Sequence, residues 1–393
     1  MNRRYQYIRT GIFLFIVLFL TLPVAGHTEE VSATKFNGAM IYSLPFGEKI
    51  NAVAVKLYPH YMPLRAKHGW TSLIIDLGYR LTNPIVIEEI PGGANRVIGR
   101  EPFGEKVYII LKGRGYTEIK KKPSGIVKKI YWQKGDAFIA PYGYWVGHAN
   151  PYDQSARILS VSVALTNDLL NPDLAGQGIE RKSPYVLNIL PLEQDDSYGD
   201  VTEPKPMDWP TRDVLEPLKD MPENHTVYKT MWGTGVNLET LKTLEHHFPQ
   251  RAERGWTSAY MELGGRILNW FIVQDMPPGS GEIGHKHGRD VFFLGLKGSG
   301  VITLRDDLVS PASQIEWGPG DLFCLPPRLN GIWHAHSNPY DTPARLLASV
   351  HDLNGLQLLN PFLGQVSKQY KKSAKRKGKG DHVFSEEDMP HEH

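Results

Sequence analysis

The sequence predicts an all-β protein in which one small β-barrel unit occurs twice in tandem. Three observations carry that reading. An ordered series of motifs recurs about 186 residues further along the chain. Within each copy, short β-branched and aromatic runs alternate with Gly, Pro and Asn punctuation, the pattern of a sandwich or barrel. Helical periodicity is weak, and only Asn51–His60 and Asn237–His247 read equally well as a short helix or a strand.

The repeat is dense. His60-Tyr-Met-Pro-Leu-Arg-Ala-Lys-His-Gly-Trp-Thr-Ser72 aligns with His246-His-Phe-Pro-Gln-Arg-Ala-Glu-Arg-Gly-Trp-Thr-Ser258. Leu111-Lys-Gly-Arg-Gly115 matches Leu296-Lys-Gly-Ser-Gly300, and Gly135-Asp136 with Pro141 matches Gly320-Asp321 with Pro326. Asn150-Pro-Tyr-Asp153 and Ala156-Arg157 return as Asn338-Pro-Tyr-Asp341 and Ala344-Arg345, and Leu170-Asn-Pro172 as Leu359-Asn-Pro361. Chance does not produce such a series in order, so the chain is a tandem duplication. The copies span residues 31–190 and 215–366. In copy two the expected strands are Ile267–Gln274, Val291–Leu296, Val301–Leu304, Gln314–Trp317, Leu322–Leu325 and Arg345–Val350.

Outside the copies the chain changes character. Arg3, Arg4 and Arg9 precede an apolar run, Gly11–Leu22, and small residues follow at Val24-Ala-Gly26. Residues 1–26 therefore read as a cleaved signal peptide that sends the protein to a secreted or periplasmic, extracytoplasmic location. No other stretch is long and apolar enough to cross a membrane, so no transmembrane span is expected after signal removal. Residues 191–214 are rich in Pro, Asp and Glu and read as an irregular linker, and residues 367–393 as a disordered charged tail. A net charge of +2 at pH 7 gives no reason to expect a nucleic-acid partner. The one cysteine, Cys324, excludes an intrachain disulfide and reads as a small buried apolar residue.

The chemistry-bearing residues concentrate in copy two. Gly284-His285-Lys286-His287 is followed by Gly298, by Gly320-Asp321 with Pro326, and by Trp333-His334-Ala335-His336-Ser337-Asn338. Alternate residues of a strand share a face, so His285 and His287 are expected to enter the barrel together. A histidine from a later strand would close a facial set around a divalent transition metal and leave open positions. Imidazole suits Fe, Mn, Zn, Cu and Ni, so ligand type alone does not name the metal. Asp290 is a candidate fourth ligand or a salt-bridge or turn residue; a one-residue slip in a strand reverses its facing. In copy one, alignment puts Arg100 at His285, Pro102 at His287 and Glu105 at Asp290, leaving only His148, opposite His336.

These motifs resemble those of the cupin superfamily across both copies, which implies tandem jelly-roll-type β-barrels. The resemblance also implies a metal held by His285, His287 and a third histidine. Spacing to Asn338 favours His334 as that ligand, with His336 as an acid/base or supporting group, though either could bind. Most members supply a glutamate where this chain has Val291. The block Trp333–Asn338 with Pro343-Ala-Arg345 resembles gentisate dioxygenase-type bicupins, which hold Fe(II) by three histidines without a carboxylate. Where those enzymes place a substrate-binding arginine, this chain has Phe293 or a neighbour. The resemblance implies a mononuclear, dioxygenase-like oxidoreductase acting on a small molecule, with Fe(II) the favoured metal and Mn(II), Zn(II) or Ni(II) as alternatives; a non-oxidative metal-dependent lyase, decarboxylase, isomerase or hydrolase is the second reading. A non-catalytic binding bicupin is the third reading. Family members commonly assemble through barrel faces, which implies a homo-oligomer.

Overall fold

The structure, a computed structural model, describes residues 33–77, 85–100, 105–120, 127–140, 144–163, 197–199, 227–230, 235–263, 269–287, 290–305, 312–325 and 332–351, apart from positions 37, 46 and 247. The expected signal peptide and charged tail lie outside the described residues.

Copy one opens with β1 (Ala33–Phe36), β2 (Ala39–Leu44), β3 (Lys49–Asn51), β4 (Tyr58–Pro59) and a short helix, α1 (Pro63–Lys67). Its barrel strands are β5 (Thr71–Leu77), β6 (Ile85–Ile90), β7 (Ala94–Arg100), β8 (Glu105–Lys112) and β9 (Arg114–Lys120). β10 (Val127–Gln133), β11 (Asp136–Ala140), β12 (Trp145–Asn150) and β13 (Ala156–Val163) complete them. β14 (Ser197–Gly199) falls in the segment expected to be irregular. Copy two repeats the order with β15 (Val227–Thr230), β16 (Gly235–Asn237), β17 (Leu244–Glu245), α2 (Pro249–Glu253), β18 (Thr257–Leu263) and β19 (Asn269–Met276). It continues with β20 (Ser280–His287), β21 (Asp290–Lys297), β22 (Gly300–Arg305), β23 (Ser313–Trp317), β24 (Asp321–Leu325), β25 (Ile332–Asn338) and β26 (Ala344–His351). The segments read as helix or strand resolve into turns with β4 and β17. The helices start at the duplicated prolines, Pro63 and Pro249, whose fixed φ and missing N–H suit a first helical turn.

Each copy is two facing sheets. In copy two one sheet runs β15-β18-β19-β26-β21-β24-β3 and the other β20-β25-β22-β23. Val291, Phe293, Phe323, Leu325, Leu346 and Ala348 of the first meet Ile302, Leu304, Ile315 and Trp317 of the second in one buried cluster. Alternation along each strand puts these residues inward, while Phe292, Leu294, Leu322, Cys324 and Leu347 at the alternate positions of the first sheet are buried on its other face. The second glycine of each Leu-Lys-Gly-x-Gly motif is set by this core. A Cβ on Gly115 would lie 2.3 Å from the Trp132 ring, and one on Gly300 2.5 Å from the Trp317 ring.

The copies exchange strands. β3 of copy one pairs with β24 of copy two, and β16 of copy two pairs with β11 of copy one. The duplicated Gly-Asp receives the visitor: Ala52 N–H donates to Gly320 O at 2.7 Å, and Leu238 N–H to Gly135 O at 2.7 Å. Asn51 Nδ2 donates to Asp321 Oδ1 at 2.9 Å, and Asn237 Nδ2 to Asp136 Oδ1 at 2.8 Å. The duplicated arginines hold each arm to its own barrel. Arg345 donates to both Asp275 oxygens at 2.6 Å and to the carbonyls of Leu238 (3.0 Å) and Glu239 (2.8 Å). Arg157 bridges Glu89 to the carbonyls of Ala52, Val53 and Val55 in the same way. The two joints differ in charge at one position of the visiting strand. Lys49 Nζ pairs with Asp321 at 2.8 Å, whereas Gly235 occupies the matching place opposite copy one. Burial there pushes the Asp136 carboxyl up to about 6, with the Glu239 charge adding to the rise.

The His-x-x-Pro-x-Arg…Gly-Trp motif forms a buried corner. His60 Nδ1 accepts from Met62 N–H (3.0 Å), so Nε2 carries the proton shared with Glu88 Oε1 (2.8 Å). Arg65 donates to the same oxygen at 2.6 Å and lies over Trp70. Burial lowers the His60 pKa to about 4 against the pull of Glu88. Burial alone would raise Glu88, but Arg65 and His60 hold it well below the usual carboxylate range. In copy two, Gln274 replaces Glu88 and accepts from Arg251 Nη1 at 3.0 Å.

Two outcomes follow. Arg345→Ala removes the clamp on the exchanged arm and costs about 2–4 kcal/mol in urea-unfolding experiments. His60 contributes stability above pH 6.5 that is lost as pH falls through its folded value of about 4. The His60→Asn variant should therefore show a shallower decline of stability between pH 6.5 and 4 than the parent, checked by chemical unfolding across that range.

Candidate metal centre

β25 brings His334 and His336 into the copy-two interior. They stand opposite Leu304 and Ile302 on β22, both members of the core cluster, and each histidine is only 1% exposed. The imidazole centroids lie 5.2 Å apart with planes at 85°. Phe293 from the facing sheet packs 5.3 Å from His336 and 6.3 Å from His334, and itself stacks on Phe323 at 5.2 Å. Two polar rings thus sit in an apolar chamber, an environment that strengthens any electrostatic bond made there.

β20 lies against β25 in a register that places His285 directly opposite His334 and His287 opposite Ile332; His336 faces Ile283. Positions 285, 287, 334 and 336 share one parity of the sheet. The side chains of His285 and His287 lie outside the described residues. Asp290 belongs to the other sheet, paired with His351. There Val291 and Phe293 fill the core, so position 290 takes the parity of Phe292 and Leu294. Among the described side chains, no group of three His, Cys, Asp or Glu residues converges.

Copy one differs at the corresponding positions. His148 matches His336: it is buried, packs 4.8 Å from Tyr108 at the Phe293 position, and Tyr108 stacks on Phe138 at 5.1 Å. Its ladder partner is Thr117, where copy two has Ile302. Trp132 Nε1 donates to Thr117 Oγ1 at 2.8 Å, and that hydroxyl lies 2.7 Å from His148 Nδ1. In copy two the indole N–H of Trp317 is buried with no hydrogen-bond partner among the described residues, because Ile302 offers no oxygen. Sequence alignment missed this exchange, whose signal was Thr117 at the position that matches Ile302 in the second copy. Alignment also erred by one residue at the metal strand. Val146, in the place of His334, pairs with Gly99, so Gly99 rather than Arg100 stands where His285 does. The slip arose because the offset changes between β20 and β21. Glu105 does match Asp290, since each pairs with the corresponding last-strand residue, Val163 and His351.

Several duplicated polar residues prove architectural. Asn338 Nδ2 donates to Met276 O (3.1 Å) and Thr342 O (2.8 Å), and Asn150 holds Ile90 O and Gln154 O alike. Arg345 is the arm clamp described above. Trp256 is fully buried, and Cys324 is 4% exposed.

Residues 272–350, from β19 to β26, match the family model described as cupin domain. No curated protein sequence matches the chain. Among solved structures, a two-residue deletion mutant of Bacillus subtilis oxalate decarboxylase aligns at 12% identity and TM-score 0.48, covering 77% of this chain and 76% of that one. A Trp-to-Phe variant of the same enzyme aligns at 12% identity and TM-score 0.48, with 77% of each chain covered. An oxalate decarboxylase described for a structural element that modulates proton-coupled electron transfer aligns at 12% identity and TM-score 0.47, covering 82% and 79%.

The Trp–Thr–His chain is testable by itself. Thr117→Val keeps the shape but strips both partners of the hydroxyl, and should cost about 1–3 kcal/mol by urea unfolding. Ile302→Thr supplies the missing acceptor to Trp317 and should cost clearly less than Thr117→Val in the same assay.

Proposed function

We propose that this protein is an exported bicupin that binds one divalent transition metal in copy two and serves as a mononuclear oxidoreductase of the dioxygenase type on a small molecule. The observation that supports this reading is a pair of buried imidazoles, His334 and His336, in an apolar chamber, on a strand whose register sets His285 opposite His334. Two histidines opposite one another on antiparallel strands have Cβ atoms about 4.5–5.5 Å apart, close enough to share an ion. That argument selects His334 as the ligand with His285 and His287, because the ladder partner of His336 is an isoleucine. The parity of β21 disfavours Asp290, so the proposed set is three neutral imidazoles. Such a set fits Fe(II), and also Mn(II), Zn(II) or Ni(II).

When bound, the metal would supply open coordination positions and Lewis-acid or redox chemistry. The chain's own residues do the rest. Phe293, Ile302 and Leu304 exclude water and give the substrate an apolar wall. His336, beside His334 and against Phe293, is placed to hold or move a proton at a substrate oxygen. Copy one is a structural partner that lends β3 to the metal-bearing barrel.

Metal analysis of residues 27–393 tests the reading. Loading with Fe(II), Mn(II) or Zn(II) should give about one equivalent, with His285→Ala and His334→Ala retaining little and His336→Ala retaining metal but losing activity. Oxygen uptake by the iron-loaded protein supports oxidoreductase chemistry, and turnover without oxygen favours the lyase alternative. No metal bound under any loading would sink the proposal.

A further inference from the structure

The inner wall of copy one carries polar groups that the repeat does not require. At matched ladder positions copy one has Glu88, Lys106, Tyr108, Thr117 and Ser160 where copy two has Gln274, Val291, Phe293, Ile302 and Ala348. All five are at most 5% exposed. Bonds within the barrel account for three of them. Glu88 is held by Arg65 and His60, Thr117 joins Trp132 to His148, and Ser160 Oγ donates to Val86 O at 3.5 Å. Lys106 is different in kind. Val291 fills the same place in copy two, so this barrel folds without a cation there, and burying one costs free energy that a hydrocarbon avoids.

Lys106 stands at the level of the barrel where copy two carries its imidazoles. It lies two positions before Tyr108 on β8, with Ala140 and Ser162 as ladder partners. Position 108 corresponds to Phe293, which packs against both His334 and His336. The ammonium turns inward. Its Nζ is 5.9 Å from the centroid of the Tyr108 ring, and Tyr108 packs 4.8 Å from His148. The Lys106 charge also acts on His60 and Glu88, in addition to burial and Arg65. Beside the lysine, Ala140 presents a methyl group where copy two has the larger Leu325.

We infer that copy one is a second binding site, independent of metal, in which Lys106 holds the carboxylate or phosphate of a small molecule against the Tyr108–His148 wall. An ammonium in a low-dielectric chamber binds an oxyanion more strongly than it does in water. The two rings beside it give the body of the ligand an apolar face. The inference stands on the comparison of the two interiors, so it does not depend on whether copy two binds metal.

Fluorine NMR on the full chain, stripped of metal by a chelator, tests it with para-fluorobenzoate, para-fluorophenyl phosphate and the neutral para-fluorobenzyl alcohol as probes. At least one of the two anions should bind saturably, one per chain, and about tenfold tighter than the alcohol; which anion does so names the oxyanion. Lys106→Met keeps the length of the side chain without its charge and should weaken that anion by about tenfold, while a His334→Ala/His336→Ala variant binds it as the parent does. The comparison of anion with alcohol on the parent is decisive even where Lys106→Met does not fold. Equal binding of anion and alcohol overturns the inference, as does anion binding that survives Lys106→Met or is lost with the copy-two histidines. So does a parent that binds neither anion, which makes Lys106 an internal partner of Glu88 or of Asp76, a buried carboxylate on the same inward face.

Discussion

Everything in this molecule depends on the reciprocal loan of one short strand between two barrels. A sheet edge is a row of unsatisfied backbone groups, and each copy covers its neighbour's edge with its own arm. The arm is held at both ends of its crossing. A Gly-Asp pair on the host receives it, and an arginine on the donor grips its carbonyls while paired with a carboxylate. Neither barrel has a finished sheet without the other. This explains why copy one keeps a full barrel although it lacks the histidine set: it is part of the wall that positions the copy-two core.

The two interiors show how one scaffold tolerates opposite uses. In copy one, Thr117 joins Trp132 and His148 in a buried hydrogen-bonded chain, and Val146 stands where copy two has His334. Each polar group in that chain has a partner, as a rigid core requires. In copy two, Ile302 removes the hydroxyl while a second imidazole is added beside the first. The stacked aromatic pair survives as Tyr108–Phe138 and Phe293–Phe323. The difference extends to other inward positions: Lys106, Tyr108 and Ala140 of copy one stand where copy two has Val291, Phe293 and Leu325. Steric constraints such as the Gly115 and Gly300 contacts with Trp132 and Trp317 stay common to both.

Much of this was legible from the residues, because repeats report backbone requirements directly. The expected strands of copy two correspond to β19, β21, β22, β23, β24 and β26 within one or two residues at each end. The duplication marked the joints, but not their meaning. Ala-Arg and Gly-Asp recur in the repeat without an assigned role, because the arm that each contacts lies about 100 or more residues away in sequence, and no local pattern encodes a strand that pairs in the other barrel. The helix question at Asn51–His60 failed for a related reason: the periodicity there belongs to an arm held by Arg157, not to a local fold. Alignment of the metal strand slipped by one residue because a sequence offset can change between strands, whereas a hydrogen-bonded ladder fixes it.

The joints also show where the duplication stopped being symmetric. Lys49 at one crossing neutralises Asp321, whereas Gly235 at the other leaves Asp136 with only amide donors, and burial raises its carboxyl to about 6. A group whose folded pKa lies above its unfolded value costs stability when ionised, so this joint is weakest at neutral pH and strengthens as pH falls below 6. His60 in the same copy acts in the opposite sense, losing stability as pH falls below 6.5. The two terms act in opposite directions across the mildly acidic range. Copy two differs at both places: its corner has Gln274 in place of the carboxylate, beside His246 and Arg251, and its aspartate at the joint pairs with a lysine.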